Sequence, residues 1–142
     1  MKESRYELKN WKRWKHTLIL LNNTREHLEN EKKSLCRNND HLQIIEKMNN
    51  LIDEIKEYEQ IIFYYQFFIE RLESAINNLL NQEEKTCVLI YANEPDNAAK
   101  REYAALEKGI SRTTYYKLLN SASSKLDKVL KPKEKQYDVK DL

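Results

Sequence analysis

Glycine and proline are almost missing from this 142-residue sequence: Gly109 is its only glycine, and proline occurs only at Pro95 and Pro132. Both residue types usually mark turns, so their scarcity predicts few turns and long helices, and we expect an all-α protein. A chain with a single glycine also lacks the glycine-rich loop that cradles phosphates in many nucleotide-binding enzymes.

Cysteine and histidine are scarce and are not arranged for chemistry. Cys36 and Cys87 are far apart and form no CxxC or Cys/His cluster, so we expect reduced thiols that pack as small apolar groups. His16, His27 and His41 lack metal-binding spacing. Because no nucleophile and base stand at recognisable spacing either, the sequence predicts no metal, no cofactor and no enzyme.

The sequence has no long hydrophobic run. Its longest apolar stretch, IIFYYQFFI, covers only 61–69, whereas a membrane-spanning helix needs about 20 residues. The basic N-terminal segment is not followed by the small-residue cleavage site of a signal peptide. We therefore expect a cytoplasmic protein that does not enter a membrane.

Residues 44–79 carry the strongest periodic pattern. Apolar or tyrosine side chains fill every a and d position of five heptads, which predicts one long helix with a continuous seam. Mostly β-branched residues at a, with leucine or tyrosine at d, favour two-stranded pairing and hence a homodimer. The residues expected to pair the two copies are Leu51, Ile55, Tyr58, Ile62, Tyr65, Ile69, Leu72 and Ile76.

A less regular apolar pattern predicts another helix in the N-terminal segment. Folding the chain about residue 38 would make an antiparallel hairpin, with Trp11 level with Tyr65 and Trp14 level with Ile62. The run 61–69 is apolar nearly all round, which predicts burial on several sides. An intramolecular hairpin and an extended two-stranded coil both fit these patterns.

The last third of the chain is predicted to form three shorter helices. Asn81 and Glu84 have the spacing of a capping box, and Pro95 ends the helix that they begin. In the next helix, 98–107, the expected apolar face comprises Ala99, Tyr103 and Leu106. Gly109 then makes a sharp turn, because it takes the left-handed conformation without a Cβ penalty.

Ser111 is the expected N-cap of the third of these helices. The side chains expected to face inward from it are Tyr115, Leu118, Ala122 and Leu126. Two short helices joined by such a turn form a helix-turn-helix. Residues 111–131 also hold five basic residues against one acidic residue, a stripe that suits either a phosphate-facing surface or a solvated helix face.

The stretch ALEKGISRTTYYKLLNSASSKL resembles the helix-turn-helix of bacterial sigma factor region 4. Upstream, LNQEEKTCVLIY resembles the preceding helix of that domain. A longer interval between Tyr91 and Gly109, together with the helical front half, is more similar to small phage-encoded activators of the ArpU and RinA type. The apolar positions that match are Ile110, Tyr115, Leu118, Ala122 and Leu126.

This resemblance implies that the third helix enters the DNA major groove. Together with the heptad pattern, it predicts a helical hairpin or coiled-coil oligomerisation region at 1–80, a helix-turn-helix domain at 81–131 and a flexible tail at 132–142. Arg112 suits guanine, and Lys117 suits phosphate. The implied DNA contacts are Ser111, Arg112, Thr113, Tyr116, Lys117, Asn120, Lys125, Lys100 and Arg101.

The resulting hypothesis is a transcription regulator that binds double-stranded DNA sequence-specifically as a homodimer. It would activate phage or mobile-element genes together with host RNA polymerase. The alternative is a helical protein-interaction module, a polymerase-binding or adaptor protein without sequence-specific DNA binding of its own. DNA affinity that falls steeply with salt is expected only from the first.

Overall fold

The computed structural model describes residues 2–35 and 41–130, and every regular element in these ranges is an α-helix. The prediction of an all-α protein is confirmed for them, and none of their helices has a stretch long and apolar enough to cross a membrane. Cys36 and the expected tail, 132–142, lie outside the described residues. The helices are α1 Lys2–Leu35, α2 His41–Leu79, α3 Gln82–Asn93, α4 Ala98–Glu107 and α5 Arg112–Leu130.

The chain divides into two compact units. The long-helix unit is Arg13–Ile69, which contains most of α1 and α2. Within the described residues, the C-terminal unit combines 70–130 with 2–12 from the other end of the chain. The first turns of α1 and the last turns of α2 therefore belong to the unit that holds α3, α4 and α5.

In the long-helix unit, the a positions of the heptad pattern form a buried line. Ile55, Ile62 and Ile69 are each at most 6% exposed, and Leu28 of α1 is buried as well. The d positions of this unit are partly buried. The isoleucines at the a positions, which were expected to help pair two copies, are thus already buried within one chain, whereas the d positions keep part of their surface.

The aromatic part of this unit differs from the sequence interpretation in two ways. The ring of Trp14 packs against Phe68, with centroids 6.1 Å apart, whereas folding about residue 38 had placed Trp14 level with Ile62. Within one chain the run is also not buried on several sides, because a helix that packs along its a/d seam leaves its other faces open. Side chains between 39% and 65% exposed are Ile61, Phe63, Tyr64, Phe67 and Phe68.

The C-terminal unit has a continuous apolar core to which α3, α4 and α5 all contribute. Asn81 and Glu84 form the capping box that their spacing predicts. Asn97 begins α4 by accepting the Lys100 N–H on its side chain. The fully buried apolar side chains include Leu8, Leu72, Cys87, Val88, Ala105, Tyr115, Leu119, Ala122 and Leu126.

The inward faces of α4 and α5 correct the sequence interpretation. All three residues of the expected face of α4 are exposed, Tyr103 by 65% and Leu106 by 60%, and Ala105 is the buried residue. On α5, Leu119 is fully buried, whereas Leu118 only packs against the edge of the core. Adjacent leucines fit a helical period almost equally well, so packing against α3 decides which of them is central.

The first turns of α1 complete this core, which the sequence interpretation did not foresee. Leu8 is fully buried, and Trp11 is 8% exposed with its indole N–H donating to Glu73 at 3.0 Å. The backbone N–H of Ser4 donates to the carboxylate of Asp127 on α5 at 3.0 Å. Amides in the first turn of a helix have no intrahelical partner, so Asp127 satisfies one that would otherwise be left over.

Candidate nucleic-acid interface

The turn between α4 and α5 is built around Gly109. Its N–H donates to Leu106 O at 2.9 Å, and the Ile110 N–H donates to Ala105 O at 2.8 Å, which is the bond pattern of a Schellman motif. Gly109 has φ of 77°, a left-handed conformation in which a Cβ is unfavourable. Ile110 packs against the core and anchors the turn. The lone glycine therefore serves the turn that its position predicts.

Helix α5 begins directly after this turn. The hydroxyl oxygen of Ser111 accepts the Thr114 N–H at 3.2 Å, and its backbone oxygen accepts the Tyr115 N–H at 2.8 Å, as expected of an N-cap. The remaining amides of this first turn carry the positive end of the helix dipole. The local structure thus favours negative charge at the start of α5.

The first turns of α5 present polar side chains to solvent. The Arg112 side chain is 74% exposed, and Thr113 and Lys117 are exposed as well. Lys100 on α4 is likewise exposed. Guanidinium, hydroxyl and ammonium groups of this kind bind base edges and phosphates in DNA complexes. The start of α5 is therefore the candidate nucleic-acid interface.

Glu102 of α4 connects two of the implied contacts. Its Oε2 accepts the Tyr116 hydroxyl hydrogen bond at 2.7 Å and lies 3.4 Å from Arg112 Nε. The hydrogen bond to Glu102, with burial second, raises the pKa of Tyr116. Tyr116 is thus a half-buried partner of Glu102 and is less available than Arg112 to an external ligand.

Three other implied contacts already have partners inside the chain. Asn120 Oδ1 accepts from Arg5 Nη2 at 2.7 Å, so its carboxamide is held from α1. Lys125 Nζ pairs with Glu84 at 2.8 Å. Arg101 Nη1 donates to the backbone oxygens that follow α3, at 2.7 and 2.8 Å. These three side chains support the fold of the C-terminal unit, and any DNA contact from them would compete with these bonds.

No family, curated protein or solved structure matches this chain. The resemblance to sigma factor region 4 therefore stays a prediction.

Glu84 is the buried charge that fastens α3 to α5. It is 1% exposed, and its carboxylate accepts from the Asn81 N–H at 2.9 Å and the Ser121 hydroxyl at 2.7 Å, besides the ion pair with Lys125. Burial by itself raises the pKa of this carboxyl. The hydrogen bonds from Lys125, the Asn81 backbone and Ser121 outweigh burial, so the pKa is lowered. Sequence reasoning identified the cap but missed the contacts with α5.

Arg5 is a second feature that sequence reasoning missed. Besides Asn120, it contacts Ser123 Oγ at 2.7 Å, and its guanidinium lies 5.3 Å from the centre of the Tyr91 ring. One side chain of α1 thus reaches both α3 and α5. The only sequence signal was the basic N-terminal segment, and no local pattern pairs a residue there with one 115 positions later.

The described residues include no group of three His, Cys, Asp or Glu side chains placed to hold a metal ion. Cys87 is fully buried, and burial first, with the neighbouring Glu83 and Glu84 carboxylates second, raises the pKa of its thiol to about 11. Such a thiol is protonated near neutral pH and is a packing group, not a nucleophile.

Proposed function

We propose that this chain is a sequence-specific DNA-binding transcription regulator of phage or mobile-element genes. The observation that carries the proposal is the solvent-facing start of α5, where Arg112, Thr113 and Lys117 project from a helix that packs on α3 and α4. The Schellman turn at Gly109 and the cap at Ser111 hold this end of the helix in place. A fixed helix end with exposed polar side chains is what groove recognition requires.

The three exposed side chains have different roles in DNA recognition. Arg112 has the geometry for a bidentate pair with guanine O6 and N7, and Thr113 can place its methyl or hydroxyl group against a neighbouring base. Lys117, one turn further along, meets phosphate and contributes affinity without sequence information. Base preference therefore depends mainly on Arg112.

Activation through host RNA polymerase follows from the resemblance to sigma factor region 4. A homodimer would present two copies of α5 to two half-sites. Because the heptad isoleucines are already buried within one chain, we expect the dimer to join through another surface. Light scattering on the purified protein, with and without its DNA site, measures whether the dimer exists.

The test of the proposal is selection of binding sites from a random duplex library by the full-length protein. We expect an enriched motif that contains a guanine. Arg112→Ala should lower discrimination at that guanine by about 1–3 kcal/mol. Lys56→Ala, at an exposed lysine of the long-helix unit, is the control and should leave the motif unchanged. The absence of any enriched motif would end the proposal.

The second candidate is a protein-interaction module, and exposed apolar residues on α4 favour it. Tyr103 and Leu106 are more than half exposed on the helix that precedes the turn. Exposed aromatic and leucine side chains are common anchors of protein interfaces. Tyr103→Ser would abolish capture of purified RNA polymerase if this candidate is correct, whereas loss of DNA affinity with rising salt supports the first.

A further inference from the structure

The Glu102 carboxylate lies at the candidate interface, but none of the proposed DNA contacts assigns it a role. It is the only described acidic side chain paired with Arg112, it is one quarter exposed, and one of its oxygens serves two residues of α5. Those residues, Arg112 and Tyr116, stand one helical turn apart and so share a face of α5. Glu102 therefore contacts the arginine that is proposed to bind a base.

The geometry at Arg112 leaves its outer nitrogens available. Glu102 lies at Nε, 3.4 Å away, and the arginine side chain stays 74% exposed. A guanidinium carries N–H donors on Nε and on both Nη atoms. The ion pair with Glu102 is made through Nε, so it does not use the two Nη groups, and a guanine edge accepts a pair of such donors.

Tyr116 in turn fixes the acid. Its hydroxyl donates to Glu102 Oε2 at 2.7 Å, a distance typical of a charge-assisted hydrogen bond. The Tyr116 ring packs at 5.0 Å from the fully buried Tyr115 ring, so the hydroxyl is held by the core. The chain of contacts thus runs from the core through Tyr116 and Glu102 to Arg112.

We propose that Glu102 is a positioning residue that pre-orients Arg112 for guanine. An arginine side chain loses much rotamer freedom when it is fixed, and a partner that fixes it before DNA arrives removes part of that loss from binding. This inference rests on the proposed function, because it assigns a role within DNA recognition.

The proposal predicts opposite effects on affinity and on specificity. A carboxylate close to DNA repels phosphate, so removing it should strengthen binding to any sequence. Without the carboxylate, the Arg112 guanidinium is no longer held in one orientation, so the preference for guanine should fall. A residue that only stabilised the fold would weaken all binding together, which separates the two roles.

The experiment compares Glu102→Ala with Glu107→Ala in the full-length protein. Glu107 is an exposed acid on the same helix, so its replacement by alanine removes the same charge. Binding of the selected duplex and of the duplex with its guanine replaced is measured for both. We expect Glu102→Ala to reduce the ratio of the two affinities by about 3- to 10-fold, part of the discrimination of a full bidentate pair, and Glu107→Ala to leave it unchanged. Tyr116→Phe should reduce it by a smaller factor.

A measurement without DNA accompanies this comparison. The ¹⁵N resonance of Arg112 Nε should move in Glu102→Ala and stay in place in Glu107→Ala. An unmoved resonance, or equal affinity ratios in the two variants, would overturn the positioning role while wild-type DNA recognition stands. A wild-type protein without base preference would overturn the proposed function and this role together.

Discussion

The C-terminal unit and the long-helix unit bury their residues in different ways. The long-helix unit buries isoleucines at regular intervals along α2, and its three phenylalanines and Tyr64 stay exposed. The C-terminal unit has shorter helices, and buried or half-buried polar groups such as Glu84 join one helix to another. The same chain thus contains one unit organised by a repeat and one organised by individual contacts.

Single substitutions should therefore have different effects in the two units. A repeat shares its burial among equivalent residues, so a change at one isoleucine leaves the others in place. In the C-terminal unit each turn and cap has its own residue, and the start of α5 depends on several of them.

Leu119→Ala should cause the largest loss of stability. Leu119 is fully buried among α3, α4 and α5, so its truncation leaves a cavity and should cost about 2–5 kcal/mol. Leu118→Ala, at the edge of the same core, should cost markedly less. Urea unfolding monitored by circular dichroism measures both, and equal costs would restore the inward face that the sequence predicted.

Ile62→Ala and Phe63→Ala make the same test in the long-helix unit. Ile62 is 3% exposed, and its truncation should cost about 2–4 kcal/mol of unfolding free energy. Phe63 is 65% exposed, so its truncation should stay within about 0.5 kcal/mol. A large, concentration-dependent loss for Phe63→Ala would show that the aromatic face packs against another copy.

Glu84→Gln should destabilise the C-terminal unit by about 1–3 kcal/mol, because it weakens bonds to buried partners. The folded pKa of Glu84 lies below its usual value of 4.5, so the ionised carboxylate stabilises the fold above about pH 4.5 and this stabilisation is lost as pH falls through the folded pKa. Thermal unfolding between pH 3 and 7, in steps of about one unit around that window, should show less acid sensitivity in Glu84→Gln than in wild type. Glu83→Gln, at the exposed neighbour, should keep the wild-type profile.

Gly109→Ala should cost about 1–2 kcal/mol, the penalty of a Cβ in the left-handed region. A Cβ at this position would meet nothing within 4 Å, so backbone conformation and not a clash is the cause. Gly109→Asn should cost less, because asparagine tolerates positive φ. Thermal denaturation measures the loss of stability in both variants. A larger loss for Gly109→Asn than for Gly109→Ala would indicate a steric clash and contradict this explanation.

Lys117→Ala should have the smallest effect on the fold, within about 0.5 kcal/mol, because the side chain is exposed. Its effect belongs to DNA binding, where losing one phosphate contact should reduce the slope of log affinity against log salt by about 0.9. Fluorescence anisotropy at several salt concentrations measures the slope. Lys56→Ala should leave it unchanged, and equal slopes for all three proteins would remove Lys117 from the interface.

Local signals predicted much of the candidate site. The single glycine marked the turn, Ser111 marked the start of α5, and the Asn81–Glu84 spacing marked the start of α3, because caps and turns depend on residues only a few positions apart. Exposure of Arg112 and Lys117 also followed from their position on the polar side of the helix.

The contacts that hold Asn120 and Lys125 within the chain could not be predicted from local sequence patterns. Arg5 with Asn120, and Lys125 with Glu84, join residues that lie far apart in the sequence. Leu118 and Leu119 illustrate the same limit within one helix, since both fit the period. A one-dimensional pattern states which residues can face inward, but the neighbouring helices decide which of them do.

Backbone preferences over a few residues are enough to predict that the described residues are helical, where the helices of the C-terminal unit begin and end, and that the lone glycine makes a left-handed turn. The fold was needed to establish that the first turns of α1 complete the C-terminal core, that the a-position isoleucines are buried within one chain, and that Glu102 pairs with Arg112. Those outcomes depend on long-range packing, in which burial and hydrogen bonding are satisfied between segments that no local pattern connects.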